Sequence, residues 1–581
     1  MPPLLQSTPP TSTPLSDPLS ARALAGGGKT KGKAKRKFHR CRVHTSHTCW
    51  KATTCKHRLH KPAKQDDGGK GNQGNQNGNQ TKPPSTTKNP TTTSTPTPTP
   101  LAPSPLPSAF GLHLGSRFSY GVTPQLHQEM EAAGGPQAWF TAQLSPAGIP
   151  DPVGDQFLTW WPSLDLDAPT IWQRDQAQVE PAWEVMADYQ RWCLLRRIWS
   201  SRQVLEQMTE FFENHLHVPV HDDGVFGFRA SYGRLIRSLA LGRFDQLLTA
   251  AITHPAMGIS LDNASSTKRA PNENLGRELL ELHTVGRGNY TEDDVKASAR
   301  ILTGYRVQMW STWRDWYDTA SHWTGPVQVM GFSHPNTDPD GRAVATAYLS
   351  YLAHHPATAA RLCRKLAVRF VSDDPSPALV DHLAQVYLAA DTAIAPVLQA
   401  LVALPEFAAS AGAKVRTPTD DVVATWRALG VQLARPTGND SAANAILWQT
   451  STVGAEPQSW PRPDGPPERG AAWSSASRIL ASFQMHYAMA GTWWPKQDLT
   501  YRPLASWAPV TTGTSIRFDD LVEHLSRELL CRSASARVQE AARLQTGLTA
   551  ATVITPTHAL VRWGMPGLIA TLLDSPEHLT R

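Results

Sequence analysis

Long apolar runs are missing from this 581-residue chain: no stretch of about 18 apolar residues occurs, so no membrane-spanning helix is expected. The opening MPPLLQSTPPTSTPLSDPLSARALAGGG also lacks the apolar segment of a secretory signal, so the sequence as written gives no expectation of export. Cysteine is scarce. Cys41, Cys49 and Cys55 lie near the start and Cys193, Cys363 and Cys531 far apart later, and neither trio reads as a disulfide framework. The stretch CRVHTSHTCWKATTCKHRLH adds histidines to the first trio without zinc-finger spacing, so adventitious metal binding or disorder is expected there. There is no H-E-x-x-H, no G-x-S-x-G, no phosphate loop, no C-x-x-C-H and no dinucleotide glycine pattern, which removes any haem, nucleotide or nicotinamide signature.

Proline and tryptophan, by contrast, are abundant, at 48 and 20 residues. Charge is unevenly spread. Residues 1–100 hold 17 Lys/Arg against Asp17, Asp66 and Asp67, a local +14 that leaves the remainder at −7 within the total of +7. Any contact with polyanions therefore belongs to the tail, and the body carries no specific nucleic-acid motif. The basic KTKGKAKRK, a Gly/Asn/Gln run and TTTSTPTPTPLAPSPLPS cannot bury enough apolar surface to offset chain entropy, so residues 1–108 read as a disordered basic and Thr/Pro-rich tail. Its Thr/Pro part is an extended spacer of the kind that holds a body away from a surface.

Residues 109–581 read as one large all-α domain of many helices. AWEVMADYQRWCLLRRIW, RLCRKLAVRF, ALVDHLAQVYLAA and FDDLVEHLSRELL all repeat apolar residues every three to four positions, and no alternating strand series is present. Thr291 with Asp294 reads as a helix start, as does Pro356 at a first-turn position. Long loops are expected near 310–340 and 435–472.

The segment PNENLGRELLELHTVG holds the most informative carboxylate. On a regular helical wheel Leu275, Leu279 and Leu282 form one stripe, and Glu273, Arg277 and Glu281 fall opposite as a solvated, ion-paired face. Glu278 lies about 60° from the stripe and is expected in a partly buried crevice. Two roles are open to it: a buried ion pair, with Arg300 or Arg234 for example, or a catalytic or metal-binding carboxylate.

MTEFFENHLHVP, ITHPAMGISLDNASS, PNENLGRELLELHTVGRGNYTEDDVKASARILTGY and HHPATAARLCRKLAVRFVSD together resemble the bacterial domain-of-unknown-function family 1800. FGLHLGSRFSYGVTP and VGAEPQSWPRPDGPPERGAAWSS resemble its opening and closing segments, so the likeness spans about 109–575. The resemblance implies a large helical protein of undetermined activity, an exported or cell-envelope location, and a sulfatase-like family as partner. One segment departs: HWTGPVQVMG keeps His322, Gly325 and Gly331 but places Trp323 and Val327 where the family has an acid and a lysine.

The polar residues matching those motifs are Asn214, His215, Asp262, Asn263, Asn272, Glu273, Asn274, Glu278, His283, His322 and His355. His215 either caps its helix or projects into a cavity, and Asp262–Asn263 either makes a turn or binds a ligand. The sharper expectation is a pocket in which Glu278 acts with Asp262, His215 and His322 as catalytic groups. It could hold a divalent metal or divide acid and base duties, with Asn263 and Asn274 as binding residues. Trp313 and Trp316, in WSTWRDWYDTASHW, either pack a loop or stack on a ligand. RLCRKLAVRF reads as a solvated basic face, with an anion site as the other reading. The functional expectation is a hydrolytic enzyme on an envelope or polymeric substrate; the alternative is a non-catalytic scaffold or partner protein of a cell-envelope assembly.

Overall fold

Helix starts along the chain follow from local chemistry. Thr291 accepts from the Asp294 amide while the Asp294 carboxylate accepts from the Thr291 amide, closing a capping box on Glu292–Ile301. His254 and His355 each precede a proline and accept from the amide two residues on, starting Pro255–Ser260 and Pro356–Phe370. The computed structural model describes residues 104–581, Pro98 and one antiparallel pairing, His39–Arg40 with Thr48–Cys49. Apart from these, the basic tail and its Cys/His cluster lie outside the described residues.

The described residues form 24 α-helices and five two-stranded antiparallel pairings, none of which joins a larger sheet. The all-α expectation holds for the body, and no helix is long and apolar enough to cross a membrane among the described residues. Residues 310–340 are not a plain loop. Tyr305–Val307 pairs with Asp315–Tyr317, and Val327–Val329 with Phe332–His334, in two short hairpins. Within 435–472 the helix Ala442–Val453 forms, started by Ser441, which accepts from the Ala443 amide.

Two apolar cores lie in the body. One is built mainly from residues 114–407 and includes the Gln203–His215, Glu292–Ile301, Arg342–Ala353 and Pro356–Phe370 helices. The other takes Ala182–Trp199 and the helices from Pro418–Leu429 to Met565–Leu573. Between Gln203–His215 of the first core and Ala182–Trp199 of the second runs a polar seam. Glu206, Glu210 and Glu213, spaced four and three apart on one helix face, are all buried. Glu206 meets Arg196 and Arg237, Glu210 meets Arg197 and Arg369, and Glu213 meets Arg229.

Such carboxylates stay buried only because each is paired and hydrogen-bonded. Glu213 accepts from Arg229 Nη2 at 3.0 Å, from the Tyr189 hydroxyl, and from Gln458 Nε2 at 2.8 Å. The last of these reaches into the closing segment around residue 458. His217 Nε2 donates to the Trp460 carbonyl at 2.8 Å and the Val220 amide to the Gln458 carbonyl at 2.9 Å, so that segment is strapped to the end of Gln203–His215.

The NENLGRELLELH segment folds differently from a plain wheel. Glu273–Glu278 is α-helical, but Leu279–His283 opens into a π-helix, closed by the Thr284 hydroxyl on the Leu279 carbonyl at 2.6 Å. The wider turn rotates the inward face. Leu275, Leu279 and Leu280 are buried, Leu282 is only half-buried, and His283 turns inward. Gly276 lets the helix lie directly on Glu292–Ile301, where a β-carbon would sit 2.9 Å from the Ala299 nitrogen.

Candidate functional site

The inward rotation of His283 builds the centre of the site. His283 Nδ1 donates to the His215 carbonyl at 2.9 Å, and His215 Nε2 donates to the His283 carbonyl at 3.1 Å. This reciprocal bridge locks both rings. His215 thus ties two helices together rather than capping its own. With its Nε2 proton committed, His215 presents the Nδ1 lone pair, and Lys365 Nζ donates to it at 2.9 Å. Burial and the adjacent Lys365 hold His215 neutral, well below its ordinary pKa. Burial, then the neighbouring Arg361, pushes the Lys365 ammonium down to about 8, against the opposite pull of Glu468 and Asp464.

Lys365 and His215 line a cavity of ≈ 410 Å³ together with Arg361, Arg364, Arg462 and Arg469. Asp464 and Glu468 supply its acidic side. The wall bearing these two comes from the DGPPERG turn, and a glycine is required there. Gly465 has φ +73°, and a β-carbon on it would lie 2.0 Å from the Asn214 carbonyl oxygen. Asn214 lines this cavity and a second one of ≈ 240 Å³, which also holds Trp460 and Trp473.

RLCRKLAVRF is therefore not simply a solvated face. Arg364 is exposed, Arg361 and Lys365 are half-buried at the cavity, and Arg369 is buried against Glu210, Glu468 and Asp420. Sequence reasoning reached Lys365 only through the anion-site reading of RLCRKLAVRF and did not single it out. The available signal was its place one helical turn from Arg361 and Arg369 on an otherwise apolar helix, which gives a cation on the buried side.

The structure does not join the expected quartet. Among the described residues no hydrogen bond or ion pair links any two of Glu278, Asp262, His215 and His322. Glu278 is half-buried without a hydrogen-bond partner among the described residues, and its carboxyl is raised above the ordinary range by burial and by Glu281. It pairs with neither suggested arginine: Arg234 bonds to Asp165, and Arg300 lies over the Trp323 ring at 5.0 Å. Asp464 on the cavity wall adds a weak repulsion to Glu278, which does not itself line the cavity.

Asp262 is exposed in a left-handed turn at φ +59°, where its carboxylate accepts from Asn274 Nδ2 at 3.1 Å. Asn263 is buried and donates to the Leu302 carbonyl at 3.0 Å. His322 is buried between the Thr303 carbonyl and Asn336 Oδ1, at 3.0 Å from each, and fastens the hairpin region. The two departures beside it are packing residues: Trp323 sits under Arg300, and Val327 is buried. Trp313 is fully buried among Trp172, Phe226 and Trp310, which leaves no face for a ligand. Trp316 is 43% exposed and lines a separate cavity of ≈ 210 Å³ with Tyr305 and His254.

A further cluster lies in the second core. Asp421, His486 and His578 place one ligand atom each within 4.8 Å of one another, so the described residues do contain a possible metal site, away from the sequence-selected quartet.

Fold and site together define a large helical protein with a basic, lysine-centred cavity. Residues 113–580 match the family model DUF1800, a protein of unknown function, and the chain belongs to that family. No curated protein and no solved structure matches it.

Proposed function

We propose that the cavity around Lys365 binds an anionic group of a polymeric substrate and that the protein acts there as a hydrolase. The observation that supports this is the Lys365–His215 contact at the floor of an arginine-rich cavity. A lysine lowered to about 8 is unprotonated in about a tenth of molecules at pH 7, and more as pH rises, and in that form can take a proton from water. His215, fixed and neutral, aims the amine without competing for that proton. Arg361 and Arg364 supply fixed positive charge where negative charge develops in the attacked group. A cell-envelope polymer fits this reading because the Thr/Pro-rich composition before the body is of the kind that suits a spacer at a surface.

The exposed Arg364 and Arg462 favour a second reading, a non-catalytic partner protein that captures an anionic segment, since such cations bind anions without any base. Release of p-nitrophenol from p-nitrophenyl phosphate and p-nitrophenyl sulfate, with calorimetric pyrophosphate binding, separates the two. The hydrolytic reading expects turnover of one ester, lost in Lys365→Arg and Lys365→Met, with pyrophosphate binding kept in Lys365→Arg. Binding without turnover of either ester supports the partner reading, and absence of both overturns the site.

A further inference from the structure

Asp421 lies on Pro418–Leu429, His486 on Ala476–Ala490, and His578 on Pro576–Leu579, so three separate segments converge on one point. Asp421 and His486 are fully buried and His578 is 4% exposed. Ser482 and Arg478 Nη2 both donate to Asp421 Oδ2, which leaves Oδ1 as the free corner of the carboxylate. That oxygen lies 3.2 Å from His486 Nε2 and 3.7 Å from His578 Nε2. For bonds of about 2.1 Å, the edge of a tetrahedron is about 3.4 Å, so these spacings bracket the separation that a zinc-sized ion imposes on its ligands.

The outer contacts match as well. His486 Nδ1 lies 2.8 Å from Asp574 Oδ1, the carboxylate–histidine arrangement that fixes the ring and turns its Nε2 lone pair toward an ion. The Thr425 hydroxyl donates to the Asp421 carbonyl at 2.9 Å, so without an ion its oxygen accepts from His578 Nε2 at 3.1 Å, a proton that a bound metal would displace.

We infer that Asp421, His486 and His578 form a buried structural site for a divalent transition metal of the zinc type. Two imidazoles and one carboxylate oxygen suit such an ion better than calcium or magnesium, which take oxygen ligands. These residues supply three of a tetrahedron's four ligands, and with all three buried the fourth position faces the protein interior and not a substrate. Its role is to staple the last helix to the second core, independently of the Lys365 cavity.

The test is metal analysis of the purified full-length protein, then removal of metal with a chelator and titration with Zn²⁺ and Co²⁺. The expected result is one tightly held zinc per chain, a Tm that falls on removal and recovers on Zn²⁺ addition, and visible tetrahedral Co²⁺ bands. His578→Gln should lose that one equivalent. His578→Cys should keep it and add thiolate-to-Co²⁺ charge-transfer intensity over that of wild type and His578→Gln, a difference that metal held by the chain's own cysteines, present in all three, does not produce. If wild-type Tm ignores Zn²⁺, or if His578→Gln retains as much metal as wild type, the inference fails. The cluster is then a metal-free bridge in which His486 hydrogen-bonds both Asp421 and Asp574.

Discussion

Lys365 Nζ sits 2.9 Å from His215 Nδ1, a contact made possible because the His215 Nε2 proton is already given to the His283 carbonyl. A pH dependence follows. The groups facing the amine are His215, Arg361, Asp464 and Glu468, and burial is the largest influence, lowering Lys365 to about 8 from a lysine's ordinary 10.5. Hydrolysis that uses the free amine should rise with pH through about 8 and level off above it, while pyrophosphate binding should weaken over the same range. A pH–rate profile and calorimetry at several pH values check both.

The same shift has a sign for stability. Between about 8 and 10.5 the unfolded chain binds more protons at Lys365 than the folded one, so this residue makes the protein more stable as pH rises through that window. Below it the buried cation is a constant penalty. Lys365→Met should therefore stabilise the protein at pH 7 by about 1.5 kcal/mol, roughly half the full conversion of about 1.4 kcal/mol per pKa unit, because the amine faces the water of the cavity. Urea denaturation at pH 7 and pH 10 should show the advantage shrinking at the higher pH.

Gly465→Ala tests how the cavity wall is held. Its β-carbon would fall 2.0 Å from the Asn214 carbonyl oxygen in a backbone conformation, φ +73°, that disfavours any side chain. The turn must move away from Gln203–His215, carrying Asp464 and Glu468 with it. The expected cost is about 2–3 kcal/mol by urea denaturation. Losing the carboxylates that hold Lys365 up should lower its pKa further, and the foot of the pH–rate profile should shift to lower pH.

Much of this fold was legible because apolar period, histidine–proline starts and the Thr291–Asp294 box are local. Membership of the family was legible from NENLGRELLELHTVG. The site was less so, for two physical reasons. A π-turn at Leu279–His283 breaks the constant angle that a wheel assumes, which hid His283 and promoted Leu282. The polar partners also come from distant chain segments: Lys365 reaches back 150 residues to His215, and Gln458 reaches back 245 to Glu213. The spacing of Glu206, Glu210 and Glu213 on one face was visible, but only the arginines of neighbouring helices show that the face is buried rather than solvated.

Glu278→Gln separates chemistry from structure at the most conspicuous carboxylate of the sequence. Burial and Glu281 raise its pKa, so the folded state holds the proton more tightly than the unfolded one. Stability contributed at this position therefore falls as pH rises through the raised value. Removing the charge should leave stability at pH 7 unchanged or raised by less than about 1 kcal/mol, since no hydrogen bond is lost. Any change in substrate preference or KM in a variant of unchanged Tm then belongs to the lost charge rather than to folding.

Glu213→Gln and Glu281→Gln form a matched contrast between buried and exposed ion pairs. Glu213 and Arg229 have side chains 1% and 0% exposed, so neutralising Glu213 leaves a guanidinium buried without its counter-charge. The new amide also meets the Gln458 side-chain nitrogen, which donates to Glu213 Oε2 at 2.8 Å in the native protein, with a second donor. Such a loss costs about 3–5 kcal/mol. Glu281, 14% exposed, pairs with Arg287, whose side chain is 85% exposed and keeps its water when the charge is removed, and glutamine retains an acceptor for the Tyr290 hydroxyl, so neutralising it costs less than about 1 kcal/mol. Urea midpoints at low and high salt should show a large, salt-insensitive loss for Glu213→Gln and a small one for Glu281→Gln that disappears at high salt. Equal losses in the two variants would mean that the polar seam between the two cores does not hold them together as its burial implies.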